Sequence, residues 1–321
     1  MDNLTHTLIG LSLSRAGLNR YYARATPLLL VAANAPDFDV ITAVRGGFFY
    51  FTCHRGYTHS LAGAPVLALA LALVFCAADR SLRKLPAAFA LALAGVASHL
   101  LLDWTNAYGV RFLMPFSVHW FSLDLATLID VWIWAAVILA TVAPFVGRLV
   151  SSEVGARSGT GRGWAVFALL FVPLYDAGRA VLHQRAIVTL ESRDYDGAAP
   201  LKVGAFPTAA NPFEWIGIVE SSQRARRYRF NLLGGNFDPD SGATFQKPEA
   251  SLAIQAAART PQFRAFLGFS KFPFWSAIPV TVPESATKVT AWDLRYGFSI
   301  TTIVDAANRP GEVKFSFSRG N

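Results

Sequence analysis

The sequence predicts a multi-pass α-helical membrane domain followed by a small α+β soluble domain. Three observations predict it. Of 321 residues, 53% are hydrophobic and only 16% are charged, whereas an ordinary soluble domain carries about a quarter charged. The charge deficit is concentrated before His183. Long apolar runs fill that part, and short alternating segments bounded by turn residues follow it. The domains read from this shift are 1–183, helical, in the membrane and carrying the candidate site, and 184–321, soluble.

Taken in order, residues 4–18 are apolar but short. They make roughly 20 Å of helix, less than the ~30 Å hydrocarbon core. Residues 26–35 are shorter still, and Pro36 ends them. These two segments read as partial spans or as a helical hairpin entering the bilayer. Residues 61–78, 86–102 and 125–146 are each long enough, or nearly so, to cross. Residues 164–182 form another long run, interrupted by Pro173 and carrying Asp176 and Arg179 at a pairing distance along the helix. Beyond His183, strands are predicted at 188–191, 215–220, 228–233, 280–282, 288–292, 298–304 and 313–317. They are punctuated by Gly234-Gly235 and Asn308-Arg309-Pro310-Gly311. An alanine-rich helix is predicted over 249–267, with a break at Pro261. The soluble part, about 135 residues, is of ordinary domain size.

The net charge of +8 and pI of 9.7 would suit nucleic acid, but much of the excess lies in short loops between apolar runs. That is the positive-inside pattern of a membrane protein, and no nucleic-acid partner is expected. Arg15, Arg20 and Arg24, then Arg80, Arg83 and Lys84, then Arg148, Arg157 and Arg162 fall at one end of the helices. Asp37, Asp39, His54, His59, His99, Asp103, His119 and Asp124 fall at the other, joined by His6. The basic end is expected in the cytoplasm, and the His/Asp end, with the soluble domain, toward the periplasm or exterior. Cys53 and Cys76 lie near opposite ends of one predicted helix, too far apart for a disulfide. The N-terminus has no basic n-region, so no cleaved signal peptide is expected.

Polar groups this dense beside apolar helices are costly unless compensated. His54-Arg55-Gly56-Tyr57-Thr58-His59-Ser60 packs two imidazoles and a guanidinium ahead of an apolar run. Ser98-His99-Leu100-Leu101-Leu102-Asp103 puts an imidazole and a carboxylate on one helix face a turn apart. Pro36-Asp37-Phe38-Asp39 adds two carboxylates that point the same way where proline stops a helix. Thr58 is a candidate N-cap, with His59 in the first turn of its helix. Imidazole and carboxylate donors suit Zn²⁺ foremost, or Mn²⁺ or Fe²⁺. The seven candidate ligands His6, Asp37, Asp39, His54, His59, His99 and Asp103 exceed the four of a structural zinc. They point to one ion with supporting residues or to two ions. Arg55 suits an anionic substrate oxygen, or else a salt bridge to Asp37 or Asp39. His119 and Asp124 are further catalytic candidates. The alternatives for them are an interfacial aromatic cluster with Phe116, Trp120 and Phe121, and a helix cap. Asp130 is expected one and a half turns inside the following helix.

These motifs carry a resemblance. Asn3-Leu-Thr-His6, Pro36-Asp37-Phe38-Asp39, His54-Arg-Gly-Tyr-Thr-His59-Ser60 and Ser98-His99-x3-Asp103, followed by Tyr108-Gly109 and Pro115, resemble the bacterial membrane-bound metal-dependent hydrolases of the YdjM-like group. The likeness covers about residues 1–125 and implies a membrane-embedded helical hydrolase of the inner (plasma) membrane, without naming a substrate. A more distant resemblance is to the zinc-dependent phospholipase C fold. It implies His99 and Asp103 as ligands with one of Asp37 or Asp39 and one of His54 or His59, and His6 in the place of the ligand near the N-terminus. This sequence departs from that fold in having no free N-terminal amine at the site and no second set of His and Glu ligands.

The function expected from these observations is a membrane-embedded, metal-dependent hydrolase. A metal-activated water would cleave a phosphoester in a phospholipid or envelope precursor. Arg224, Arg226, Arg227 and Arg229 would attract such an anion, or form a solvated strand edge. Two alternatives stand beside it: a proton or metal-ion transporter using the intramembrane His/Asp cluster, and a structural ion that staples short helices.

Overall fold

The computed structural model describes residues 1–153, 161–234, 237–281 and 285–317. The predicted features at Arg157, Gly235 and Val282 lie outside the described residues. The chain forms two compact units. The first comprises Met1–Val44, Cys53–Val181 and Thr208–Pro212; the second comprises Arg45–Thr52, Leu182–Pro207 and Phe213–Asn321.

The first unit is helical. Asp2 caps α1 (Asn3–Arg15), accepting from the amides of Leu4 and Thr5. After α2 (Ala25–Ala32) the chain turns into a 3₁₀ segment, Ala35–Arg45, because Pro36 cannot continue an α-helix. Next come α3 (Gly47–Cys53), which apart from Cys53 belongs to the second unit, a 3₁₀ turn at Tyr57–His59, α4 (Gly63–Ala78), α5 (Leu85–Thr105), α6 (Val131–Glu153) and α7 (Arg162–Glu191), whose residues from Leu182 on also belong to the second unit. Three helical segments, Leu82–Thr105, Val131–Ser151 and Arg162–Glu191, are long and apolar enough to cross a membrane. Ala25–Ala32 with Ala35–Arg45, bent by 43°, and Gly47–His59 with Gly63–Ala78, bent by 75°, bring the total to five if each bent pair is one span. Both bends fall at ligand-bearing segments.

Small residues set how closely these helices approach. Ala64, Ala68, Ala72 and Cys76, spaced four apart, form a buried stripe on α4. It packs with Leu28, Leu29 and Ala32 of α2 and Ala88, Leu91, Ala92 and Val96 of α5. A stripe of this kind lets helix backbones come close, so that van der Waals contact holds them where the hydrophobic effect is weak. Gly10 and Gly95 serve the same purpose. A Cβ on Gly10 would lie 2.9 Å from the Leu29 carbonyl oxygen, and one on Gly95 would lie 2.7 Å from Ala32 Cβ. A second core joins Ile9, Ile133, Val137, Ala140, Ala168 and Val172 of α1, α6 and α7.

Three local expectations are corrected. The apolar run from Leu125 is not helical at its start. The helix begins at Val131, where Asp130 Oδ1 accepts from the amides of Trp132 and Ile133. Asp130 is therefore the cap of α6, not an internal residue. Residues 188–191, predicted as a strand, are the end of α7, since Ala186 and Leu190 continue a helical spacing into a core with Trp215 and Tyr228. Ser60, not Thr58, receives the amide at the start of α4, from Gly63.

The second unit contains two four-stranded antiparallel meanders, ordered as in the sequence. The first is β1 (Lys202–Pro207), β2 (Glu214–Glu220), β3 (Arg224–Asn231) and β4 (Ala243–Gln246). The second is β5 (Pro273–Val280), β6 (Ala286–Asp293), β7 (Ser299–Val304) and β8 (Pro310–Ser316). β1 and β4 are absent from the sequence expectation, and β5 meets the strand expected over 280–282 only at Val280. Between the sheets lie α8 (Leu252–Ala258) and α9 (Pro261–Phe269), the latter with Pro261 in its first turn. A helix start is where proline costs nothing.

Candidate metal centre

The centre lies in the first unit, where α5, the 3₁₀ segment after α2 and the turn before α4 meet. Helix α5 supplies His99 and Asp103, both fully buried. The segment Ala35–Arg45 supplies Asp37 and Asp39. The Tyr57–His59 turn supplies His59, also fully buried. His54 and Arg55 sit in the tight connection between them, where Arg55 has a left-handed φ of 54°.

Four ligand atoms converge. His59 Nε2 is 3.1 Å from His99 Nε2, 3.4 Å from Asp37 Oδ1 and 3.4 Å from Asp103 Oδ2. His99 Nε2 is 3.5 Å from Asp37 Oδ1 and 3.4 Å from Asp103 Oδ2. Four ligands about 2.05 Å from a zinc in tetrahedral array would be separated by about 3.3 Å. The observed spacing is that of a coordination polyhedron.

The hydrogen bonds behind these atoms say what the atoms in front can do. His99 Nδ1 faces the Ala33 carbonyl at 2.7 Å. A carbonyl only accepts, so the proton of a neutral His99 is on Nδ1 and the Nε2 lone pair points inward. His59 Nδ1 faces Thr58 Oγ1 at 3.0 Å and Asp39 Oδ2 at 3.4 Å, which assigns its tautomer in the same way. Asp37 Oδ1 and Asp103 Oδ2 are buried without a hydrogen-bond partner. Two nitrogen lone pairs and two carboxylate oxygens thus face one another with no donor between them. A cation placed among buried acceptors so arranged would offset the cost of burying them. The cluster can hold a metal ion, and its donors suit zinc, manganese or iron.

Asp39 organises this arrangement from behind. Its Oδ1 meets His54 Nδ1 at 2.7 Å, and its Oδ2 accepts from the Arg55 amide and from Thr58 Oγ1, each at 2.8 Å. The left-handed turn at Arg55 aims that amide at Asp39, while the guanidinium meets Asp103 Oδ1 at 3.1 Å. The guanidinium thus forms an ion pair with Asp103. Arg55 also donates to the Gly109 carbonyl and lies over the Tyr108 ring. His6 stacks on His99, with ring centroids 3.7 Å apart, and its Nε2 is 3.5 Å from Asp103 Oδ1. The amine of Met1 contacts Asp103 Oδ1. This corrects the expectation that no amine reaches the site: Asp2, bonded through its amide to the Leu128 carbonyl, brings residue 1 to α5.

His119 and Asp124 lie outside the two His/Asp groups suited to an ion. The His119 ring packs edge-on against Phe121, and Asp124 accepts from Ser122 Oγ. Two neighbours of the site escaped the sequence reading. Asn106 donates to Asp103 Oδ1 and accepts from the amides of Tyr108 and Gly109; its spacing of three from Asp103 at a helix end was the available signal. Arg111 donates to the His54 carbonyl at 2.9 Å and lies over Trp120. Its position after Gly109 in a mixed loop gave no such signal. The basic residues of β3 are engaged: Arg226 with Asp196 and Asp240, Arg224 with Asp196, and Arg229 with Glu214.

Comparison with known proteins agrees with this architecture. The chain is 28% identical over 159 residues to the Bacillus subtilis (strain 168) protein described as "Uncharacterized protein YfhP". The match covers 46% of this chain and 47% of that protein, so the chain spans about half the length of the curated relative it matches. No solved structure matches it. Residues 1–186, which hold every residue of the centre, match the family described as "YdjM inner membrane protein". This membrane-embedded helical chain with a buried His/Asp cluster belongs to the YdjM inner membrane protein family.

Proposed function

We propose that the protein is a metal-dependent hydrolase of the inner membrane, acting on a phosphoester in a lipid or envelope molecule. The observation that carries this reading is the convergence of His59 Nε2, His99 Nε2, Asp37 Oδ1 and Asp103 Oδ2 without a donor among them. When bound, a divalent cation supplies Lewis acidity, which acidifies water and polarises a phosphoryl oxygen. The chain's own residues do the rest. Ala33, Thr58 and Asp39 hold the imidazoles in the ligating tautomer. Arg55 and Asn106 hold Asp103 through its other oxygen, so Arg55 acts as a positioning residue. Arg111, beside His54, adds positive charge that favours an anionic substrate. Phe38, Ile41, Tyr57 and Leu61, next to the ligands in sequence, are exposed. Such side chains suit a lipid interface and an amphiphilic substrate.

A structural ion is the second reading, and the four-donor, largely buried geometry favours it. One experiment separates the two. Purified full-length protein is assayed for zinc and manganese by mass spectrometry beside His99→Ala and Asp103→Ala, and all three are given chromogenic phosphoesters and a fluorescent phospholipid. Hydrolysis predicts one or two equivalents of metal in the wild type, lost from variants that stay monodisperse but release no product. A structural ion predicts variants that do not fold. Absence of metal after gentle purification and after adding it back would end both.

A further inference from the structure

We infer that Asp37, Asp39 and His54 form a second cation subsite that shares Asp37 with the four-donor set, so that the centre is built for two ions with different tasks. This rests on the metal-centre reading above.

One ligand atom from each of the three residues lies within 4.8 Å of the others, and Asp37 belongs to both groups. Asp37 is suited to bridge. No backbone amide or hydroxyl among the described residues donates to its carboxylate, so nothing competes with cations for it; its Oδ1 meets only the edges of His59 and His99. Asp39 has one oxygen committed, since Oδ2 is held by the Arg55 amide and Thr58. That fixes Oδ1 toward His54 Nδ1 at 2.7 Å. With His54 neutral, these two atoms offer their lone pairs to one cation in place of the proton they share.

The two groups differ in closure. Three of the four residues in the first are fully buried, and four protein donors complete a tetrahedral ion. The second has only three protein residues, and the side chains of Asp37 and His54 are each 12% exposed. An ion with three protein ligands keeps a position for water or substrate. We therefore assign the open coordination position to the Asp39–His54 side and the anchoring task to the His59–His99–Asp103 side.

The test loads full-length protein in detergent with Mn²⁺ alone, removes unbound metal and reads stoichiometry and electron paramagnetic resonance. Two equivalents and an exchange-coupled pair are expected in the wild type, and one equivalent with an uncoupled signal in His54→Ala. One equivalent in the wild type, unchanged in His54→Ala, overturns the second subsite and leaves the metal-centre reading standing. Two equivalents in both proteins overturn the assignment to His54. No bound manganese in the wild type overturns the reading on which the inference rests. The coupled signal is read on the unaltered chain, so the test survives a variant that does not fold; two uncoupled ions there overturn the shared Asp37.

Discussion

Thr58 and Asp39 stand behind the ring of His59 and leave its Nε2 lone pair able to meet a cation. Thr58 Oγ1 lies 3.0 Å from His59 Nδ1 and donates to Asp39 Oδ2 at 2.8 Å. Partners of this kind fix ring orientation and raise ligand basicity, and losing one costs about 10–100-fold in metal affinity. Thr58→Val keeps the shape and all four donors. It is expected to weaken zinc binding about tenfold, measured by competition with a chromophoric chelator, and an unchanged affinity would remove Thr58 from the site. At this scale much was legible. His99, Asp103, Asp37 and His59 stood out because an ionisable side chain in an apolar run demands a partner. The task of Asp39 was not legible, since it depends on Arg55, Thr58 and His54 meeting one carboxylate from another segment. Arg111 and Asn106 were hidden because polar residues in a loop carry no such demand.

Helix packing places Ala33 against His99, and Gly95 tests that placement. Replacing a helical glycine with alanine ordinarily stabilises a helix by about 1 kcal/mol. Here the new Cβ would lie 2.7 Å from Ala32 Cβ and 3.2 Å from the Ala33 amide nitrogen. Overpacking costs about 1–3 kcal/mol, so it should prevail. Gly95→Ala is expected to lower the thermal unfolding midpoint in detergent, followed by tryptophan fluorescence, and to weaken metal binding by shifting the carbonyl that holds His99 Nδ1. A midpoint that rises would show that α2 yields without cost. Apolar runs located α4, α5 and α7 because a span needs about twenty apolar residues. They misplaced the start of α6, because composition does not distinguish an apolar loop from a helix. Only the two amides accepted by Asp130 mark that boundary. Similarly, Val188 and Thr189 favour strands locally, yet Leu190 packs as part of a helix.

Across the whole molecule, the placement of basic residues predicts orientation. Arg80, Arg83 and Lys84 before α5, Arg148 in the last turns of α6 and Arg162 at the start of α7 fall at helix ends remote in sequence from the ligands. The positive-inside rule puts them in the cytoplasm. The centre and the chain after α7 would then face the periplasm or exterior. A C-terminal alkaline phosphatase fusion in a Gram-negative host is expected to be active, and a green fluorescent protein fusion dark. The opposite pattern would turn the protein over and place its substrate in the cytoplasm.

The sequence by itself determined the division into an apolar helical part and a β-rich part, and the residue types able to bind a cation. Both are properties of composition and short-range spacing, which survive without knowledge of the fold. Tertiary structure alone decided which of seven candidate ligands converge, because His59, Asp37 and α5 meet only after the chain bends at Pro36 and again before Gly63. It also decided their protonation pattern, since a tautomer is set by the partner behind the ring, and for His99 that partner is the Ala33 carbonyl at the end of α2.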